Sequence, residues 1–373
     1  MNSSDYIFAL IITFIISLIA TAVVIWFAKK IKVLDIPNSK RKLHKKPIPL
    51  LGGLAVFFSF NVVLLFYLYF TNDLTGDTIR LRNIVGIMIG TLFLMIGGFL
   101  DDKYNLKPRW QILWPIFAVI SVIVGGIGID WITNPFGEGL FYLNEYSVTL
   151  FWYEGFPYQI TFLADILTFF WIMGMIYTTK LLDGLDGLVS GVTIIGGVFI
   201  FLTALNKSEI IQYDVALLAM ILIGAFAGFL VFNFNPAQIF LGEGGSTLAG
   251  FLLGSLSIIS GSKIGVTLML LSIPILDFLW TIIRRIMEKR SPFSGADRKH
   301  LHHRLLDAGL SVKKAVLTLY AVTIVFGVMV YYLQDFGLSF TGLVLFSLTI
   351  FMLILAYAYK MTKERSRAPE DIK

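Results

Sequence analysis

The chain has 373 residues, of which 57% are hydrophobic and 14% charged, and its formal net charge is +6. A soluble globular chain carries about 25% charged residues, so this composition excludes a soluble domain and equally excludes a disordered chain. With 33 Phe and 7 Trp, it is typical of a polytopic membrane protein, whose solvent is lipid. Cysteine is absent, which excludes disulfides, a cysteine nucleophile and thiolate metal sites.

Hydrophobic segments long enough to cross a bilayer, which takes about 20 apolar residues in a helix, recur along the whole chain. They lie at 5–28, 49–70, 83–100, 111–129, 161–179, 188–205, 214–232, 246–261, 264–283, 315–333 and 338–359. The segment at 246–261 is the weakest prediction, because it is short and rich in glycine and serine. We therefore predict an all-α polytopic membrane protein with about eleven spans, a single membrane domain over residues 1–362 and a polar cytoplasmic tail at 363–373.

Basic residues predict the orientation of these spans. If the N-terminus lies outside, the inner segments hold all of the 30 Lys and Arg residues except Arg80, Arg82, Lys207 and Lys263. Because cytoplasmic loops carry an excess of Lys and Arg, we predict an outer N-terminus and a cytoplasmic C-terminus. The basic balance then reflects topology and argues against nucleic-acid binding, with a secondary contribution to binding anionic substrates or lipid headgroups.

One outer segment, residues 130–160, resembles strands more than a span. Residues 141–143 (Phe-Tyr-Leu) and 148–152 (Val-Thr-Leu-Phe-Trp) flank Asn144 and Glu145. Short apolar and aromatic runs around such a turn are typical of a β-hairpin. We predict a small external β-hairpin with its turn at Asn144 and Glu145.

The unusual polar clusters all fall on the predicted inner side. They are residues 41–53, 101–102, 183–187, 233–246 and 297–304, and they include all four histidines of the chain. Five clusters on five loops could have been divided between two faces, so one catalytic face is the economical interpretation. The alternative is that these loops are polar simply because they meet water.

Carboxylates dominate two of these clusters. Asp101 and Asp102 close a predicted spanning helix, where adjacent carboxylates raise each other's pKa unless a cation lies nearby and oppose the helix dipole. This position favours a metal site or a base for a phosphate nucleophile over a solvated helix end. Asp183 and Asp186 are three residues apart, hence on one face if helical, in a run with glycines that also suits a simple turn.

Two further clusters suit anions. Residues 240–246 (Phe-Leu-Gly-Glu-Gly-Gly-Ser) form a glycine-rich loop that opens a helix, and helix N-termini bind phosphates; no Walker pattern follows. Three histidines stand within four residues beside basic side chains, which favours a diphosphate site over zinc and leaves a basic juxtamembrane helix as the alternative. The residues of this cluster are Arg298, Lys299, His300, His302, His303 and Arg304.

Asp277 lies within a predicted span, about two helical turns from Arg284. An acid inside the membrane indicates a functional site by default. A structural ion pair is an equally good interpretation of this residue.

Taken together, these motifs resemble the polyprenyl-phosphate N-acetylhexosamine-1-phosphate transferases. This family includes phospho-N-acetylmuramoyl-pentapeptide transferase and undecaprenyl-phosphate N-acetylglucosamine-1-phosphate transferase. The resemblance runs through residues 42–44, 49–53, 101–102, 182–188, 232–237 and 297–305. The form His-x-His-His-Arg-Leu at 300–305 resembles the N-acetylglucosamine branch, since the muramoyl-pentapeptide branch usually has three consecutive histidines.

The resemblance implies a bacterial plasma-membrane enzyme with its site on the cytoplasmic face. It would transfer a sugar 1-phosphate, N-acetylglucosamine 1-phosphate first of all, from a UDP-sugar to polyprenyl (undecaprenyl) phosphate, releasing UMP and initiating cell-envelope polysaccharide synthesis. The implied partners are a UDP-sugar, the polyprenyl phosphate carrier, the membrane and, in a homodimer, a second copy of the chain.

The resemblance also implies roles for individual residues. Asp101 is the base or orienting group for the lipid phosphate and Asp102 its partner, while Asp183 and Asp186 order the nucleotide-sugar and any metal; with Lys180 these form the catalytic set. The predicted substrate-binding residues are His44, Lys45, Asn233, Arg298, His300, His302, His303 and Arg304.

Two positions depart from the family pattern. The family has Asn where this chain has Lys180 and Asp where it has Glu243, and both positions are associated with Mg²⁺ in the family. The resemblance therefore implies Mg²⁺ held by Glu243 and Asp102, but a protonated lysine cannot be a metal ligand. We predict that the Lys180 ammonium replaces the ion and lies within about 4 Å of Glu243 or Asp183; the alternative is a Lys180 that points to solvent or headgroups.

Two functions of other classes stay open at this point. Lys180 and Glu243 are compatible with a non-catalytic relative that binds lipid carriers or acts as a membrane scaffold. A secondary transporter is disfavoured, because its charged groups would gather near the bilayer midplane and these gather on one face.

Overall fold

The computed structural model describes the greater part of the chain. The described residues are 3–37, 44, 46–71, 73–76, 78–133, 139–145, 147–153, 156–206, 211–261, 267–268, 271–289, 300–333, 348–352 and 354. The predicted tail at 363–373 and most of the predicted span at 338–359 lie outside them.

Helices make up most of the described structure, as predicted from composition. They are α1 (Ser3–Lys30), α2 (Gly52–Phe70), α3 (Leu81–Tyr104), α4 (Pro108–Gln111), α5 (Leu113–Val124), α6 (Phe162–Leu182), α7 (Leu188–Asn206), α8 (Tyr213–Asn233), α9 (Gly242–Ile259), α10 (Ser272–Met287), α11 (Leu301–Asp307) and α12 (Val312–Leu333). The prediction of an all-α polytopic membrane protein is confirmed.

Seven of the described helices are long and apolar enough to cross a membrane: α1, α2, α3, α6, α7, α8 and α12. The predicted span 111–129 corresponds to α5, a shorter apolar helix that follows directly after α4. Within the described residues, the predicted span 264–283 corresponds to α10, which ends at Met287. The count of eleven spans stays a prediction.

Helix α10 ends later than predicted because it has one buried polar face and other faces that are apolar and exposed. Asp277, Thr281 and Arg285 follow one another at four-residue spacing, which places them on one face, and all three are buried. Large apolar side chains such as Leu279 and Ile286 are exposed on other faces. Because the polar face packs on protein, the helix can continue through charged residues. A prediction from hydropathy ends the span at those residues.

Helix α9, the weakest predicted span, is the centre of the bundle. Nearly every side chain from Gly244 to Ile259 is buried, and the helix packs on α2, α3 and α6. A side chain on Gly98 of α3 would collide with Gly244 of α9, so the two backbones touch. Membrane helices that meet other helices use small residues in this way, which explains a glycine- and serine-rich segment that lipid would not favour.

The strands form three small antiparallel pairs. They are β1 (Leu34–Asp35) with β2 (Ile48–Pro49), β3 (Trp131–Thr133) with β4 (Leu140–Tyr142), and β5 (Ser147–Tyr153) with β6 (Phe156–Thr161). The predicted hairpin across Asn144 and Glu145 is wrong in its pairing, because β4 pairs back to β3 and β5 pairs forward to β6. The segment 156–161 is rich in aromatic and β-branched residues, which favour strands, and it continues directly into α6.

Chain direction sets which helix ends meet. Helices α3, α6 and α8 finish at the same end of the bundle at which α7 and α9 begin, as the contacts below show. The segment around β2 lies there too, since the Gly53 N–H donates to the Leu241 carbonyl over 2.7 Å and the Phe240 N–H donates to the Pro49 carbonyl over 2.9 Å. The β3–β4 and β5–β6 pairs, which precede α6, lie at the opposite end.

Candidate active site

A polar cleft occupies the end of the bundle where these helices meet. We define it by five side chains: Asp101 and Asp102 from the last turn of α3, Lys180 from the last turn of α6, Asp183 from the loop after α6, and Glu243 from the first turn of α9. All five were predicted as site residues. They come from three helices, and from the loop after one of them, that are far apart in sequence and adjacent in space.

Lys180 and Glu243 form an ion pair across the cleft. The Lys180 Nζ lies 2.5 Å from Glu243 Oε1, and the two side chains keep 25% and 19% of their surface exposed. The predicted contact within 4 Å is confirmed, and the alternative of a lysine turned out to solvent or headgroups is wrong. Partial burial strengthens such a pair, because water screens it less than on an open surface.

Gln111 connects this ion pair to Asp101. Its Nε2 donates to Asp101 Oδ1 over 2.8 Å, and its Oε1 accepts from Lys180 Nζ over 3.4 Å. The Leu106 N–H also donates to Asp101 Oδ1, over 2.9 Å. These contacts fix the orientation of the Asp101 carboxylate, and within the described residues its Oδ2 keeps no hydrogen bond. Sequence reasoning missed Gln111, which begins a predicted span and carries no motif.

Asp102 meets the beginning of α9. The Glu243 N–H donates to Asp102 Oδ1 over 3.1 Å, from a residue 141 positions later in the chain. An acid at the end of α3 opposes the dipole of that helix, but the same acid at the N-terminus of α9 is favourable. This contact explains why α9 begins at Gly242, four residues before the predicted span, and why a carboxylate is tolerated at the end of α3.

Asp183 is the most accessible carboxylate of the cleft. Its side chain is exposed and makes no hydrogen bond within the described residues. The protein around the cleft mouth desolvates the carboxyl group, and the negative charges of Glu243 and Asp186 add to this, so the pKa of Asp183 is raised above its ordinary value. An unpaired acid that faces the opening is available to a ligand.

Asp186 and Asn233, two other predicted site residues, are occupied by contacts within the fold. Asp186 Oδ2 accepts from Asn235 Nδ2 over 2.8 Å and from the Ala237 N–H over 3.1 Å. Buried Asn233 accepts from Ser190 Oγ over 3.0 Å and donates to the Ile239 carbonyl over 2.9 Å. These bonds hold the loop between α8 and α9 against the loop after α6.

The histidine segment, His300 to His303, packs beside the polar cleft. His300 Nδ1 lies 3.1 Å from Asp277 Oδ2, and the Leu301 N–H donates to Asp277 Oδ1 over 3.1 Å. Asp277 therefore caps the start of α11 from inside the bundle. Of the two interpretations of this acid, the structure supports a structural role, with His300 and the Leu301 N–H as its hydrogen-bond partners.

His302 joins the histidine segment to the loop after α6. The His302 side chain is only 2% exposed, and a side chain on Gly184 would collide with its imidazole. Burial, together with the neighbouring His303 and His300, lowers the pKa of His302 well below its ordinary value. His302 is therefore neutral at pH 7 and offers a ligand a hydrogen bond rather than a charge.

The other predicted substrate-binding residues lie at the margin of the site or outside the described residues. His44 Nε2 lies 3.5 Å from Asp35 Oδ2, and its ring meets the Phe240 ring edge-on with centroids 5.3 Å apart. Arg304 is half-buried in α11. Lys45 and Arg298 fall outside the described residues.

A small pocket lies beside the polar cleft. Asp101, Gln111 and Glu243 line its polar side, and Leu94, Trp114 and Pro115 line its apolar side. A cavity with these two kinds of wall suits a ligand with a charged head and a hydrocarbon chain.

The described side chains do not fit the magnesium ion that the resemblance implies at Glu243 and Asp102. Mg²⁺ requires close oxygen ligands in near-octahedral geometry, and the Lys180 ammonium already lies on the Glu243 carboxylate. Asp102 Oδ1 is taken by the Glu243 N–H. Across the described part of the chain, no three His, Asp or Glu side chains are grouped to hold a metal ion.

Comparison with known proteins identifies the family of the chain. Residues 84–261 match the family model described as glycosyl transferase family 4. A probable undecaprenyl-phosphate N-acetylglucosaminyl 1-phosphate transferase of Bacillus subtilis is 31% identical over 363 residues, which cover 96% of this chain and 93% of the relative.

Two further relatives extend the comparison. An undecaprenyl-phosphate alpha-N-acetylglucosaminyl 1-phosphate transferase of Thermotoga maritima is 27% identical over 92% of this chain and 94% of the relative. A phospho-N-acetylmuramoyl-pentapeptide-transferase of Streptococcus uberis is 33% identical over 59% of this chain and 61% of the relative. Since the similarity to the Bacillus protein runs through nearly the whole of both chains, this chain belongs to glycosyl transferase family 4.

Proposed function

We propose that this membrane enzyme transfers N-acetylglucosamine 1-phosphate from UDP-N-acetylglucosamine to undecaprenyl phosphate, releasing UMP. The observation that carries the proposal is the polar cleft, with an oriented Asp101, an unpaired Asp183 and a fixed ammonium at Lys180, beside a pocket with an apolar wall. Relatives named for this transfer match 92% and 96% of the chain.

The chemical step requires positioning more than covalent catalysis by the protein. An oxygen of the lipid phosphate attacks the phosphorus that carries the sugar. The bond from that phosphorus to the bridging oxygen breaks, and UMP leaves with that oxygen. The lipid then carries a diphosphate linked to the sugar.

Asp101 is suited to the lipid phosphate. Its Oδ1 is held by Gln111 and the Leu106 N–H, so its Oδ2 faces a ligand in a fixed direction. A phosphate monoester retains a proton with a pKa of about 6, and a carboxylate that accepts this proton leaves a stronger nucleophile. The apolar wall at Leu94 and Trp114 takes the first part of the lipid chain.

Asp183 and Lys180 act on the nucleotide-sugar. Asp183 accepts hydrogen bonds from the sugar or the nucleotide at the cleft mouth, and the Lys180 ammonium offsets the charge of the diphosphate as a point charge. The neutral His302 and its neighbours in the histidine segment donate hydrogen bonds to diphosphate oxygens.

We also propose that the polar cleft faces the cytoplasm of a bacterial cell. The proposal rests on the distribution of Lys and Arg among the loops. Reporter fusions after Asn206 and after Arg298 should report opposite sides of the plasma membrane. Two reporters on the same side would contradict this topology.

Activity is tested with purified protein in liposomes that contain undecaprenyl phosphate and are supplied with a panel of UDP-sugars. We expect UMP release with UDP-N-acetylglucosamine, and exchange of labelled UMP into the UDP-sugar. Asp183→Asn is the matched negative control. Lipid binding with neither UMP release nor exchange would favour the lipid-carrier-binding or scaffold role instead.

A further inference from the structure

We propose that the Lys180 ammonium is the built-in cation of this site, so that Glu243 binds lysine instead of a divalent metal ion. The inference deepens the proposed function and rests on it for the role of the cleft. It starts from the disagreement between the magnesium site that the resemblance implies and the described side chains.

The Lys180 ammonium occupies the place beside Glu243 that a metal ion would take. Lys180 Nζ lies 2.5 Å from Glu243 Oε1, so the two charged groups are in direct contact. An ion bound to the same carboxylate would have to displace Nζ or accept two positive charges in contact. Electrostatic repulsion at that separation strongly disfavours the second arrangement.

The Lys180 ammonium has two hydrogen-bond acceptors. Besides Glu243, its Nζ donates to Gln111 Oε1, and the Gln111 Nε2 is bonded to Asp101. A lysine with two acceptors and only 25% of its side chain exposed is positioned, in contrast to a flexible surface lysine. Lys180 therefore also acts through Gln111 as a positioning residue for Asp101.

The cleft holds more negative charge than the Lys180 ammonium can offset. Asp101, Asp102, Asp183 and Glu243 place four carboxylates around one lysine in the described cleft, and the substrate diphosphate is also negative. One ammonium offsets part of this charge, so any divalent ion that arrives with the nucleotide must be held by Asp101, Asp102 or Asp183. Only Glu243 is already paired with a cation.

A binding experiment without turnover tests this inference. The probe is Mn²⁺, measured by electron paramagnetic resonance on the purified full-length protein without nucleotide. Four forms are compared: the natural protein, Glu243→Gln, Lys180→Met, and Lys180→Met with Glu243→Gln. Lys30→Met, a change at the last residue of α1, is the control for loss of a positive charge.

We expect Glu243→Gln to leave Mn²⁺ affinity unchanged in the natural background. Lys180→Met should raise the affinity at least tenfold, Glu243→Gln should remove that gain, and Lys30→Met should change nothing. A loss of Mn²⁺ affinity in Glu243→Gln alone would overturn the inference, as would the absence of any gain in Lys180→Met. If Lys180→Met does not fold, the comparison of the natural protein with Glu243→Gln still tests the inference, because a loss of Mn²⁺ affinity in Glu243→Gln contradicts it.

Activity gives a second, independent reading. The double variant Lys180→Asn, Glu243→Asp is compared with the natural protein in the exchange assay. The factor by which chelator lowers UMP exchange should be at least ten times larger for the double variant. An equal response of both proteins to chelator would count against the inference. Failure of exchange in every form would overturn the proposed function, whereas the Mn²⁺ result would still decide the role of Lys180.

Discussion

The polar cleft and the histidine segment lie side by side, yet they use the same kinds of residue differently. In the cleft, Asp183 is exposed and Asp101 keeps one carboxylate oxygen without a partner in the described structure. In the neighbouring region, both oxygens of Asp277 are bonded, one to His300 and one to the Leu301 N–H. Proximity to the site therefore does not decide whether an acid serves chemistry or the fold; its remaining hydrogen-bonding capacity does.

Electrostatics separates the two regions as well. The cleft has a fixed ammonium among carboxylates, whereas burial keeps His302 neutral. Charge compensation of a diphosphate thus belongs to the cleft, and shape and hydrogen bonding belong to the histidine segment. Substitutions in the cleft should lower turnover, and substitutions around the histidine segment should lower stability first.

The largest effect is expected for Asp183→Asn and Asp101→Asn. Each removes a negative charge that faces the substrate, and loss of one such electrostatic group costs about 10²–10³ in kcat. The yield of folded protein should stay unchanged, because neither side chain supports the core. Asp73→Asn, an exposed acid on the loop between α2 and α3, is the control. Near-normal turnover in both cleft variants would refute the assignment.

Asp277→Ala tests the histidine segment, where we expect an acid to support the fold. It leaves the buried His300 without its acid and the start of α11 without its cap, and leaving buried hydrogen-bonding groups without a partner costs about 1–3 kcal/mol. Thermal unfolding in detergent should show a lower Tm, with a smaller drop for Asp277→Asn because the amide oxygen still accepts from the Leu301 N–H. An unchanged Tm combined with lost turnover would show that Asp277 contributes to the reaction instead of to stability.

Gly184→Ala tests the contact between the two regions. The added methyl group collides with the His302 imidazole, and overpacking of this kind costs about 2 kcal/mol. The loop that carries Asp183 must then move, so turnover should fall together with Tm. Gly174→Ala is the matched control on α6, since a methyl group there meets no atom within 4 Å. Equal behaviour of the two variants would show that the loop and the histidine segment are not coupled.

The smallest effect is expected for Ser190→Ala. It removes the hydroxyl that donates to Asn233 Oδ1, and a single hydrogen bond contributes about 1 kcal/mol. We expect a slightly lower Tm and unchanged KM and kcat, because Asn233 is bonded within the fold. A raised KM for the UDP-sugar would instead return Asn233 to the substrate-binding set.

Composition and hydropathy were sufficient for the fold class, because lipid as solvent leaves few alternatives. They misplaced the start of helix α9 and the end of helix α10, because these two helices are shaped by neighbouring protein instead of lipid. The small residues of α9 exist for contacts such as Gly98 with Gly244, and its cap, Asp102, lies 141 residues away. A sequence window cannot contain such a partner.

For the site, the departures from the family pattern were the most informative signal. Lys180 conflicted with a metal site, and its occurrence together with Glu243 predicted the ion pair that the structure has. Gln111 and Asn235 could not be predicted, because an amide gains its role only from the geometry of its neighbours. Asp186 was identified as part of the site, but its bonds to Asn235 and Ala237 depend on a loop fold that the motif does not specify.

The central claim is that this chain transfers a phosphosugar, and the most direct measurement follows the phosphorus. UDP-N-acetylglucosamine labelled with ³²P on the phosphate next to the sugar is incubated with the purified protein and undecaprenyl phosphate. We predict that the label moves to the lipid fraction while unlabelled UMP is released in equal amount, and that Asp183→Asn abolishes both. Label that remains in water as UDP, or no transfer by the natural protein, would contradict the account.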